Sequence, residues 1–259
     1  MISGRGVDAA WSVARDAASR AGVEVRELQS SEIAIAQEVI GAVWGPQQIP
    51  QSNLLRAFAH AGSTLLGALA GDQPVGTTLG FVGWEGGMHL HSHMTAVIPG
   101  RISGGVGYAL KLWQRAVCLR EGVGEVRWTY DPLVARNAQF NLVKLGAAVV
   151  AMHPNFYGAM DDIVNAGEES DRLEVSWLLD SPRVVAALAG RPLRPVGVVR
   201  SHAIPQDYTT LSRTDPAAAR AARTAARDAV LAAVRDGLAI EWDSGAYRFT
   251  RQTLEPTSG

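Results

Sequence analysis

Several groups of residues in this chain have types and spacings that could do chemistry. The first is SGGVGYALK, residues 103–111. Glycines allow positive φ and let a backbone approach a ligand closely. A helix that starts directly after them offers unpaired N–H groups and the positive end of its dipole, which suits a phosphate. The loop lacks the Gly-Lys-Ser/Thr ending of a P-loop and the full GxGxxG spacing, so by itself it points to an anion without naming one. A turn that merely permits tight strand–helix packing is the ordinary alternative. The second group is His89, His91 and His93, which alternate and so share one face of a strand. Such a row is a known zinc arrangement, but residues 88–100 supply no Asp, Glu or Cys to complete it. A structural row, or a general base titrating near neutrality, fits better. Asp131 precedes Pro132 and reads as a helix N-cap with proline at the first helical position. Arg220, Arg223 and Arg227 share one face of a late helix and read as a solvated stripe.

The elements that must position these groups follow from hydrophobic period and turn signals. Residues 8–21 form a small amphipathic helix, 23–28 a short strand, and a second helix opens at Ser31-Glu32 and ends at Gly45-Pro46; 53–61 is helical again. Thr64–Leu69, Val75–Val82 and Met88–Ile98 are strands split by Gly71-Asp72 and Gly86-Gly87. Joins that short require an antiparallel meander, because parallel neighbours need a crossover. A helix over about 105–121 follows, with Val106, Leu110, Trp113 and Val117 as its apolar stripe and Lys111, Gln114, Arg115 and Arg120 facing out. Strand Glu125–Tyr130, a helix from Asp131-Pro132, strand Ala147–Met152 and strand Leu173–Leu179 complete a mixed α/β unit. Beyond Ser181 lie a stretch with Pro192, Pro195 and Pro205, an Ala-Arg helix over Pro216–Asp236, and a hairpin turning at Ser244-Gly245.

Composition excludes several classes. With 47% hydrophobic residues the chain can build a core and is not disordered. Its 24 basic and 25 acidic residues nearly cancel, which excludes a chain-wide nucleic-acid or anionic-membrane binder. The single cysteine, Cys118, excludes an internal disulfide framework and reads as a small buried apolar residue. No uninterrupted apolar run reaches the ~20 residues of a membrane span, and Met1–Ala10 lacks a signal-peptide core. A cytoplasmic protein is expected.

An antiparallel meander feeding a glycine turn and helix, then strand, helix and strand, resembles the GNAT superfamily of acyl-CoA-dependent N-acyltransferases. The resemblance covers roughly residues 23–180 and is carried by LHSHMTAVIP (90–99), SGGVGYALK, WTYDPLVARNAQF (128–140) and KLGA (144–147). HSHMTAV, WTYDPL, RNAQFN and HPNFYG together look like a little-characterised bacterial branch of it. The resemblance implies that backbone groups of Gly104, Gly105, Val106, Gly107 and Tyr108 wrap the CoA pyrophosphate. It implies that Thr95, Ala96 and Val97 form the splayed strand edge that pairs with pantetheine amides, and that Asn137 contacts the pantetheine arm. Lys144 is implied near the adenosine phosphates. The family's opening Arg or Gln falls at Ile102, so its side-chain contact is either lost or rebuilt from Arg101, one residue earlier. The family's general-acid Tyr position holds Leu142, which leaves Tyr130 and Tyr157 as substitutes. His93, beside the expected splay, is the expected base.

The expected organisation is an N-terminal helix (1–22), a GNAT-like α/β domain with a mostly antiparallel central sheet (23–181), and a C-terminal helix-plus-hairpin extension (182–259). The extension is expected to pack onto that domain or onto a second copy, and a homodimer is compatible with it. The expected reaction moves an acyl group, acetyl by default or succinyl, from acyl-CoA to a small amine such as an amino acid, with no metal. Two rivals stay open: a non-catalytic CoA-binding or regulatory module, and a metal hydrolase built on the histidine row.

Overall fold

A computed structural model of the chain describes residues 4–102, 104–158 and 169–251, so Ser103 of the glycine turn lies outside the described residues. They fall into two compact units, 4–127 and 128–251.

The first unit begins with helix α1 (Gly4–Ala21) and strand β1 (Glu24–Glu27), then helices α2 (Ile33–Trp44) and α3 (Ser52–His60). Strands β2 (Leu65–Ala70), β3 (Gln73–Gly83) and β4 (His89–Val97) form the expected meander, antiparallel throughout. β1 adds antiparallel to β2. Helix α4 (Val106–Arg120) then crosses over to β5 (Glu125–Tyr130), whose first residues pair parallel to β4.

Each face of the meander takes a helix layer, and the pleat decides which residue meets which layer. Leu79 joins Leu28, Ile33, Ala36, Leu55 and Leu65 in a core under α2 and α3. Gly76, on the opposite face, meets α4. A Cβ there would stand 2.8 Å from Val106 Cγ1 and 3.0 Å from Leu110 Cδ1, so only glycine lets α4 lie this close.

α4 departs from the sequence expectation. Lys111, Gln114 and Arg115 are buried, and only Arg120 of the four expected outward residues is exposed. The reason is α1, which lays Ala10, Ala14, Ala17 and Ala18 in the buried layer and sets Trp11 edge-on to Trp113, centroids 5.1 Å apart. A helix covered on two sides has no wide polar face to expose.

The second unit holds the end of β5, the short helix α5 (Ala135–Ala138) continuing into a π-turn over Gln139–Lys144, and strands β6 (Ala148–His153) and β7 (Arg172–Leu178). Its strand order is β5-β7-β6, with β6 and β7 antiparallel. Helices α6 (Pro182–Leu188), α7 (Tyr208–Thr214) and α8 (Pro216–Arg235) follow, with a three-stranded sheet of order β8-β10-β9 made by β8 (Val198–Ala203), β9 (Ala239–Asp243) and β10 (Ala246–Thr250). The expected C-terminal helix and hairpin are present, and the mixed α/β class with a mostly antiparallel sheet holds.

Trp128 and Tyr130 point to the buried side of β5, where Trp128 meets Trp177 edge-on at 5.9 Å. Arg183 ties α6 to β9 with a two-pronged bond to Glu241 (2.7 and 2.9 Å) and also donates to the carbonyls of Gly146, Leu142 and Ala147. Two sequence readings are corrected here. Asp131 caps only a turn, accepting the Leu133 N–H at 2.8 Å, and the helix starts at Ala135. Arg223 is buried, donating to Asp131 at 3.0 Å, and Arg227 binds Asp171 at 2.8 Å, so the stripe is solvated only at Arg220. Those partners lie 56 and 92 residues away in sequence, beyond the reach of helical spacing.

Candidate functional site

In the first unit, the candidate site is the end of β4, the turn after it and the start of α4. His93 is the extra residue of a β-bulge: Leu79 pairs with Met94 and Gly80 with Ser92, leaving His93 unpaired. The parallel ladder to β5 covers Leu90↔Val126 and His91↔Arg127 and ends there, while β4 runs on to Val97. Thr95, Ala96 and Val97 therefore lie on a stretch of β4 beyond its last ladder bond to β5. Thr95 Oγ1 is 2.8 Å from Thr78 Oγ1, and Ala96 is buried.

The turn closes with Arg101 N–H donating to Ile98 O and Gly104 N–H to Arg101 O. Gly105 then caps α4 with φ 86°, a left-handed conformation glycine adopts without strain. Among the described residues no side chain caps this helix, and its first internal bond runs from Ala109 N–H to Gly105 O. The first N–H groups of α4, from Gly105 to Gly107, precede its first internal bond and carry the positive dipole end. Gly107 has ordinary room: a Cβ there would sit 3.6 Å from Val97 Cγ2. Arg101 and Ile102 are both exposed.

His91 and His93 flank Phe81, with centroids 5.3 and 5.9 Å from it, and Phe81 stacks on Phe58. His93 is exposed at one edge, yet desolvation by this packing holds its imidazole below the usual histidine value. Among the described residues no hydrogen bond orients it. His89 is buried over Gly83 with Nδ1 2.9 Å from Gly87 O. No three His, Cys, Asp or Glu among the described residues could hold a metal ion together. No described helix is long and apolar enough to cross a membrane.

Beneath β4 runs a buried polar chain that the sequence did not reveal. Lys111 Nζ donates to Ser92 Oγ at 2.8 Å, and Gln114 Nε2 donates to Thr64 Oγ1 at 3.0 Å. Full burial pushes the Lys111 amine down to about 7. Burial pushes the Cys118 thiol up to about 12, as expected of an inert core cysteine.

The second unit holds Tyr130, Asn137, Lys144 and Tyr157, and it separates the two tyrosines. Tyr130 is buried beside the Tyr247 hydroxyl, but that group donates to Pro132 O at 2.8 Å, and by geometry the Tyr130 hydroxyl is left without a well-formed hydrogen bond among the described residues. Burial pushes its phenol well above the usual tyrosine value, so it stays protonated. Tyr157 is exposed on the turn after β6, its hydroxyl 3.4 Å from Thr129 Oγ1. Thr129 and Tyr130 are successive strand residues and point to opposite faces, so the two phenols cannot serve as one pair. Asn137 is half-buried and Lys144 exposed, while Leu142 is buried in the core. An unpaired buried hydroxyl carries a desolvation cost. Tyr130→Phe should therefore melt at the same temperature or be stabilised by about 1 kcal/mol. A clear loss of melting temperature would reveal a bond to that hydroxyl.

With this geometry described, the chain can be set beside known proteins. Among solved structures it is similar to the ribosomal-protein-S18-alanine N-acetyltransferase from Escherichia coli, at 12% identity and TM-score 0.49 over 61% of this chain and 95% of that one. The chain is similar to acetyltransferases. Further examples are an acetyltransferase of the GNAT family from Streptococcus pneumoniae (12%, TM-score 0.49, covering 60% and 97%) and the IAA acetyltransferase from Bacillus cereus (12%, TM-score 0.47, covering 60% and 97%). No family model and no curated protein matches the chain.

Proposed function

We propose that this chain is a GNAT-type acyltransferase that moves an acyl group from a CoA thioester to an amine. The observation that carries the reading is the start of α4, where a left-handed glycine opens a helix whose first N–H groups meet no side-chain cap among the described residues. Donors fixed this way bind a diphosphate without reorganising. The β4 segment Thr95–Val97 suits a pantetheine arm, whose amides can pair with a strand edge as an added strand does. Arg101 and Lys144 are exposed cations suited to the outer phosphates, and Asn137 offers an amide to the arm. A thiolate is a good leaving group, so holding amine and thioester together supplies much of the rate. Acetyl is the default acyl group and succinyl the acidic alternative; a small-molecule amine such as an amino acid is the proposed acceptor.

The test is release of CoA thiol from acetyl-CoA and succinyl-CoA on addition of a panel of primary amines, followed with a thiol-reactive dye. Amine-dependent release supports the reading. CoA binding without release for any amine would favour a non-catalytic CoA-binding module, the reading that the buried Leu142 at the family's tyrosine position favours.

A further inference from the structure

Four rings of the first unit gather on one face of the β3–β4 pair. Leu79 and Phe81 alternate with Gly80 on β3 and so share the face packed by α2 and α3. His91 pairs opposite Phe81, and the bulge at His93 returns its ring to that same face, 6.2 Å from His91 and 5.9 Å from Phe81 by centroids. Phe58 of α3 stacks on Phe81 at 5.7 Å, with 11° between the ring planes. Phe58, Phe81 and His91 are half-buried, and His93 is exposed. Leu54, one turn before Phe58 on α3, is 48% exposed and extends the patch.

The cluster carries little charge. β3, β4 and α3 contain no Asp or Glu, and Arg56 of α3 donates to Ser30 O at 2.8 Å. Desolvation keeps the His93 imidazole below the usual histidine value, so at about pH 8 it is uncharged. Rings with no fixed anion among them favour an uncharged planar partner, which stacks on their faces and edges. The cluster also lies beside the place where acyl transfer would occur. The start of α4 follows Val97 in the chain, so an arm whose diphosphate sits there and whose amides pair with Thr95–Val97 runs back along β4. Its thioester end then points towards His93, which precedes Thr95 by about 7 Å of strand. All of these residues belong to the first unit.

We propose that Phe58, Phe81, His91 and His93 form the acceptor subsite, and that the acceptor is a primary amine carrying an aryl group, whose ring stacks on this cluster while its nitrogen reaches the thioester. The inference rests on the acyl-transfer reading and narrows its acceptor to one chemical class. His93 then contributes its ring face rather than a base. No hydrogen bond among the described residues orients its nitrogens, whereas a working base has such a partner. An amine with an alkyl chain fills the same patch less well, because aromatic pairs contribute beyond the area they bury. The transfer itself balances as for any amine. The C–N bond forms at the thioester carbonyl carbon, the C–S bond breaks, and its electron pair leaves on sulfur. Of the two protons lost by the ammonium, one goes to solvent and one to the thiolate. A free arylalkylamine and an aromatic amino acid share this chemistry.

The test measures kcat/KM by thiol release from acetyl-CoA and succinyl-CoA with two matched pairs of amines, phenethylamine against butylamine and phenylalanine against leucine. It is run on the wild type and on Phe58→Leu, Phe81→Leu, His93→Ala and His93→Phe. The wild type should favour the aryl member of at least one pair by about tenfold, and the pair that shows it tells a free amine from an amino acid. That preference should fall severalfold in Phe58→Leu, Phe81→Leu and His93→Ala. His93→Phe keeps a ring, removes the imidazole nitrogens and should hold the preference. A ratio of two amines cancels a general loss of folded protein, so a merely structural effect leaves it unmoved. A wild type that releases no thiol with any amine ends the acyl-transfer reading, and this proposal with it. Thiol release with neither aryl member preferred, or a preference unchanged in Phe58→Leu, Phe81→Leu and His93→Ala, overturns this proposal alone. Should the two phenylalanine variants fail to fold, the exposed His93 decides. Preference lost in His93→Ala and kept in His93→Phe supports the subsite, and preference kept in both overturns it.

Discussion

Replacing Gly107 with aspartate should weaken CoA binding about a hundredfold while leaving the melting temperature unchanged or raised. The two effects separate because the same carboxylate meets two different neighbours. Towards the helix it is favourable: position 107 lies in the first turn of α4, its φ is ordinary, and a Cβ has room at 3.6 Å from Val97. An acidic residue there complements the helix dipole, and any side chain is a better helix former than glycine. Towards a diphosphate it is repulsive. At ~5 Å and an effective dielectric of ~20, two unit charges repel by about 3 kcal/mol, or about a hundredfold in affinity. Calorimetric titration with CoA, paired with thermal melting, reads both. Unchanged affinity in a folded variant would remove the pyrophosphate from the α4 turn.

Lys111→Met should stabilise the protein at neutral pH and flatten its stability–pH curve. The unfolded lysine holds its proton up to about 10.5, and the folded one only to about 7. Between those values unfolding takes up a proton, so stability falls as pH falls from 10.5 towards 7, at up to about 1.4 kcal/mol per unit. Below that window both states are protonated and the loss is complete. Methionine fills a similar volume without a charge to desolvate. Ser92 Oγ and Gln114 Oε1 lose a donor, which costs about 1 kcal/mol and leaves a net gain on the order of 3 kcal/mol near pH 7. Denaturant melts of both proteins across pH 6.5–10.5 measure the difference. Parallel curves would show that the buried amine does not titrate in that window.

Local chemistry made much of the fold legible in the sequence. Tight Gly-Asp and Gly-Gly joins force neighbouring strands to be antiparallel, and β2, β3 and β4 are. A glycine turn before a helical stripe requires a helix start at 105–106, and α4 starts there. The hairpin closing at Ser244-Gly245 forms with both residues at positive φ. Each depends on residues a few positions apart, where backbone sterics alone restrict the outcome.

What only the tertiary structure decided are the placements that depend on a second layer or a distant strand. A helical stripe says which face of α4 is apolar, but not that Arg115 is buried too, nor that Lys111 lies beneath β4 beside Ser92. An alternating histidine row says that the three share a face, but not that a bulge sets His93 apart from the β3–β4 ladder. His153 and Glu174 are separated by 21 residues and meet because the β6–β7 register aligns them. Arg223 looks like a solvated helix residue until Asp131, 92 residues earlier, takes its guanidinium. Period and propensity act over one or two turns of chain, whereas burial and pairing are set by whatever packs across the interface, so the types of these residues were readable in advance and their partners were not.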